Sequence, residues 1–80
     1  MKKSTRRLIE VCLGKGLNLL AVKLALKEND EGGGSVCLAN VFDSVSSHIT
    51  PAQFSGYLSA LTEKGSYIPR GEGFGVVIYN

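Results

Sequence analysis

Eighty residues, 44% hydrophobic, 20% charged and 8% aromatic with no Trp, suit one small globular domain and leave no room for a second core. The formal net charge of +2 is too weak to indicate a nucleic-acid or membrane partner, but it is unevenly spread. Residues 1–27 hold seven bases and one acid, a balance of +6, whereas residues 28–80 hold two bases and six acids, a balance of −4.

Cys12 and Cys37 lie far apart inside apolar stretches, as buried free thiols do, and point to a reducing cytoplasm rather than to a disulfide framework. With His48 the only histidine and no Cys-x-x-Cys pair, tetrahedral metal coordination lacks ligands. Lys2-Lys3-Ser4-Thr5-Arg6-Arg7 resembles the charged start of a secretory signal, but Glu10, Lys15 and Lys23 interrupt the apolar region behind it. The longest apolar stretch, Leu19-Leu20-Ala21-Val22, is far short of the ~20 residues that cross a bilayer. A cytoplasmic protein without membrane contact is expected.

The first predicted helix runs from Thr5 to Leu13, with Ser4 as N-cap and Gly14 as its stop. Leu8, Ile9, Val11, Cys12 and Leu13 give it a broad apolar face, more than a three-helix core needs, and self-association through it would make a homodimer. From Leu17 to Glu28 strong helix formers predominate, with Lys23 and Lys27 at i, i+4 as a wetted edge, so this helix belongs at the centre of a bundle. Asn29 ends it, and Asp30-Glu31-Gly32-Gly33-Gly34-Ser35 reads as an exposed, flexible loop.

Val36-Cys37-Leu38 fits a short strand or a helix start, and Leu38, Val41, Phe42 and Val45 then fall at i, i+3, i+4, i+7, predicting a helix from Leu38 to Ser47. Thr50-Pro51-Ala52-Gln53 is a capping box with Pro at the first helical position, with Ile49 and Phe54 as the staple, and it opens a helix that stops at Lys64-Gly65. Phe42, Phe54 and Tyr57 read as core aromatics. The remaining residues change period: Ser66–Arg70 and Phe74–Tyr79 predict a β-hairpin across Gly71-Glu72-Gly73, with Pro69 confining its strand to an edge and Tyr67 and Tyr79 partly exposed.

The predicted class is therefore α+β. In helix order, and in the phrase Tyr57-Leu58-Ser59-Ala60-Leu61-Thr62-Glu63-Lys64-Gly65, the segment from Leu17 to Tyr79 resembles the winged helix-turn-helix superfamily of small transcription regulators. That resemblance implies three core helices and a C-terminal wing hairpin, with residues 1–14 an additional basic helix. It implies a regulator of double-stranded DNA in which Gln53, Ser55, Gly56 and Ser59 approach the major groove while Lys64 and Arg70 touch phosphate or minor groove. Lys2, Lys3, Arg6 and Arg7 would add sequence-independent attraction as a basic arm.

The sequence also departs from an ordinary recognition surface. The outward positions of Thr50–Lys64 are Gln53, Ser55, Gly56, Ser59, Thr62 and Glu63, with no Arg, Lys or Asn among them, and Arg70 stands beside Glu72. The same fold with an acidic, small-residue face also fits a protein-interaction module that docks on a larger complex. No catalysis or cofactor is expected: Asp43, Ser44, Ser46, Ser47 and His48 are too close in sequence to form a triad. Nor does any helix follow Gly71-Glu72-Gly73-Phe74-Gly75 to hold a phosphate.

Overall fold

An antiparallel helix pair opens the chain because two apolar faces meet across a glycine break. In the computed structural model, which describes residues 2–79, α1 (Lys3–Gly14) buries Ile9, Cys12 and Leu13 against α2 (Asn18–Glu28), which buries Ala21, Val22, Ala25 and Leu26. Leu8 and Val11 of the expected broad face remain exposed. Ser4 is not the N-cap. The helix begins earlier, with the Lys2 carbonyl accepting from Arg6 N–H at 3.0 Å, and the cap residue Lys2 makes no side-chain capping bond. At the other end Gly14 is still helical, and Gly16 takes the left-handed conformation at φ +76°. Leu17 N–H donates to Cys12 O at 2.8 Å and Gly16 N–H to Leu13 O at 3.1 Å, the paired closure that a glycine one residue past the cap permits.

The loop after α2 is organised by its own acid. Asp30 Oδ1 accepts from Gly32 N–H at 2.8 Å and Gly34 N–H at 3.0 Å, while Oδ2 accepts from the Tyr79 hydroxyl at 2.8 Å. These contacts tie the glycine loop to the far end of the chain. Gly34 cannot be replaced freely: at φ +85° a Cβ there would stand 2.6 Å from the Val77 carbonyl oxygen.

This loop delivers β1 (Ser35–Cys37), so the ambiguous Val36 segment is a strand, and α3 (Leu38–Asp43) follows at once. The helix is shorter than its periodicity predicts. Ser44 N–H and Val45 N–H bond back only three residues, to Val41 O and Phe42 O. The Ser44 and Ser46 hydroxyls take the carbonyls of Asn40 and Asp43, competing with further helical turns. Val45 and Ile49 are nevertheless buried in the turn.

Next, α4 (Pro51–Glu63) starts on the full capping box: Gln53 N–H donates to Thr50 Oγ1 at 3.2 Å, and Thr50 N–H donates to Gln53 Oε1 at 2.9 Å. It ends like α1, with Gly65 left-handed, Ser66 N–H on Leu61 O and Gly65 N–H on Thr62 O. The hairpin of β2 (Tyr67–Pro69) and β3 (Phe74–Val77) completes a three-stranded antiparallel sheet in the order β1-β3-β2. Pro69 sits on the edge strand, where its missing N–H costs least.

One core joins these parts, from Ile9 and Leu26 through Val36, Val41 and Leu61 to Tyr67 and Val77. Phe42 and Phe54 meet at 5.3 Å between ring centroids, tilted by 58°, at its helical side. Tyr67 is not partly exposed but 1% exposed. Its ring lies across Gly75 of β3, in the space where any Cβ at that position would fall. The described residues thus form a small α+β structure of four helices and one antiparallel sheet.

Candidate nucleic-acid interface

The face of α4 turned away from the core consists of small or polar residues because the apolar ones are used elsewhere. Phe54 and Leu61 are buried, and Tyr57 and Leu58 are half-buried. Asn18 Nδ2 donates to the Tyr57 hydroxyl at 3.2 Å, which ties the start of α2 to the middle of α4. What remains exposed on α4 includes Gln53, Ser55, Gly56, Ser59, Thr62 and Glu63. Apart from its chain neighbours and the backbone of its own helix, no atom comes within 4 Å of where a Gly56 Cβ would stand, so the helix surface there is open to a close-approaching partner.

Between this face and the hairpin runs a shallow groove of about 380 Å³. Ser55, Ser59 and Thr62 line one side and Pro69, Gly71 and Phe74 the other, over Leu38 and Leu58. Thr62 spends its hydroxyl on the Leu58 carbonyl at 2.8 Å. Among the described residues Glu63 is the only charged one lining the groove, and Phe74, at 53% exposed, is its most open apolar ring.

The other expected contact residues divide into two groups, one just past the end of α4 and one at the start of α1. Lys64 and Arg70 are exposed and adjoin in sequence the groove residues Glu63, Pro69 and Gly71. In the second group, Arg6 of α1 shares a depression of about 510 Å³ with Glu10, Asn40, Asp43, Ser46 and Ser47, the last two in the turn that leads into α4. Lys3 and Arg7 are exposed on the same first turns of α1, and the exposed cap residue Lys2 donates its N–H to Glu28 Oε1 at 3.4 Å. None of the four lines the α4–hairpin groove. Gln53 is also less available than its exposure implies, because its side-chain oxygen is engaged by the cap, and a two-point contact with adenine would have to share or open it.

The groove floor was hidden from sequence reasoning. Leu38 and Phe74 read as core and strand residues, and only the pairing of Cys37 with Phe74 in the sheet sets them side by side. Elsewhere, His48 Nδ1 lies 2.9 Å from Ser47 Oγ on the exposed turn. Among the described residues no group of three or more His, Cys, Asp or Glu is placed to hold a metal ion, and no helix is long and apolar enough to cross a membrane. No protein family, curated protein or solved structure matches the chain.

Proposed function

We propose that this chain is a winged-helix DNA-binding regulator that sets α4 into the major groove of duplex DNA with the β2–β3 hairpin alongside. The order helix, strand, short helix, capped helix, hairpin, with β3 between β1 and β2, supports the layout. The observation that carries the function is the open small-residue face of α4, with Lys64 and Arg70 exposed just past its end and Arg6 sharing a depression with the turn before it. Ser55, Gly56 and Ser59 let a helix seat deeply, and the flanking bases neutralise phosphate on either side of the groove.

Affinity in this reading is mostly electrostatic. If Lys2, Lys3, Arg6, Arg7, Lys64 and Arg70 each neutralise one phosphate, the slope of log affinity on log salt is about −5, a loss of about a thousandfold between 50 and 200 mM salt. Fluorescence anisotropy of a labelled duplex at two ionic strengths tests this, and no binding at low salt rejects it.

A second reading has its own support. The groove is apolar at Leu38, Leu58, Pro69 and Phe74 and carries only the negative charge of Glu63, which suits a protein segment better than a phosphate chain. Charge reversal separates the two. Glu63→Lys with Glu72→Lys strengthens duplex binding if the face reads DNA, and leaves it unchanged while weakening a partner complex if the face reads protein.

A further inference from the structure

We infer that the cleft between α2 and the end of β3 is a binding site for a small organic anion with an apolar body. It has about 190 Å³ of space, room for roughly six waters at their liquid volume, and shares no lining residue with the α4–hairpin groove. Its floor is the edge of the core, Leu26, Leu61 and Val77. Its rim carries Lys23 and Lys27, one helical turn apart on α2, and both are exposed.

The remaining polar groups at the cleft sort by whether they are already engaged. The backbones of Ser66 and Ile78 bond each other, with Ile78 N–H donating to Ser66 O at 2.9 Å, and Val77 N–H donates to Gly34 O at 2.7 Å. The Tyr79 hydroxyl donates to Asp30. Of the side chains at the rim, the two ammonium groups and the Ser66 hydroxyl remain, two cations against the single Asp30 carboxylate that Tyr79 engages. Donors above an apolar floor select a ligand with an acceptor-rich anionic head and a short hydrocarbon body. A carboxylate of the size of hexanoate matches the space, its tail on Leu26 and Val77 and its head between Lys23 and Lys27. The inference does not depend on what α4 binds.

A ¹H–¹⁵N correlation titration of the full chain with hexanoate tests it, with acetate and hexanol as probes that keep only the head or only the tail. The expected result is saturable shifts at Lys23, Lys27, Ser66 and Ile78 with hexanoate, and at least tenfold weaker effects with either fragment. Lys23→Gln with Lys27→Gln, both exposed positions whose folding circular dichroism checks, should weaken hexanoate roughly tenfold, while Lys15→Gln on the exposed end of α1 should not. Equal shifts from acetate, equal shifts from hexanol, shifts spread over all lysines, or indifference to the double substitution would each overturn it.

Discussion

Replacing Gly75 by Ala probes the one place where strand and ring leave no space for a side chain. The new Cβ falls on the hydroxyl end of the Tyr67 ring, which is 1% exposed and so cannot swing into solvent without opening the core. If the ring shifts locally, overpacking costs about 1–3 kcal/mol. If it is expelled, the loss is of order 4–6 kcal/mol, from the roughly 150–250 Å² that a buried aromatic removes from water at about 25 cal/mol per Å². A chain this size has in all about 4–12 kcal/mol of stability, so expulsion would leave it marginal or unfolded. We therefore expect a loss of about 2–4 kcal/mol, read by urea unfolding as a midpoint lower by about 2 M or more for a slope near 1 kcal/mol/M. In a Tyr67→Ala background the same Gly75→Ala change should cost little, giving a coupling of at least about 1 kcal/mol in the double-mutant cycle. A loss below about 0.5 kcal/mol, or strictly additive effects, would refute the packing described.

The hydroxyl of that buried Tyr67 has no hydrogen-bond partner among the described residues, so Tyr67→Phe should stabilise the chain by about 1 kcal/mol in the same unfolding assay. Thr50→Ala removes the acceptor for Gln53 N–H and should cost about 1 kcal/mol, whereas Ser4→Ala, at a position that caps nothing, should change stability negligibly. For the Asp30–Tyr79 contact the pH signs are opposite. Hydrogen bonds from Gly32 N–H, then from Tyr79, hold Asp30 below its ordinary value of 3.8, so its contribution is complete above that pH and fades as pH falls further. Desolvation, then the hydrogen bond and charge of Asp30, push Tyr79 up to about 12, so its contribution holds below its ordinary value of 10 and disappears as pH rises toward 12. Ultraviolet titration of the tyrosines should show that late step, and Asp30→Asn should move it back toward 10.

Local signals carried α4 best. The spacing of Phe54, Tyr57, Leu58 and Leu61 and the cap at Thr50 delimit α4 to within a residue at each end, because both are written in consecutive side chains. What the sequence concealed was contact between distant segments. Val36 pairs with Gly75 across nearly half the chain, and three residues of β1 hold too little alternation to announce a strand. The glycine run after Asp30 reads as flexible on composition, yet it is organised by one carboxylate and a tyrosine from the other end of the molecule. Tyr67 reads as half-exposed because the space that buries it is made by a missing side chain at Gly75. The candidate interface followed the same division. Exposure of Gln53, Ser55, Gly56, Ser59, Lys64 and Arg70 was legible from helical phase and turn position, while the apolar floor between α4 and the hairpin and the separation of the basic first helix from that groove were not.

The proposed role of α4 is tested most directly by a ¹H–¹⁵N correlation titration of the chain with a generic duplex at low salt. The account predicts shifts concentrated on Gln53, Ser55, Gly56, Ser59, Lys64 and Arg70, reversed as salt is raised. Absence of any shift at low salt, or shifts confined to surfaces away from α4 and the hairpin, would contradict it.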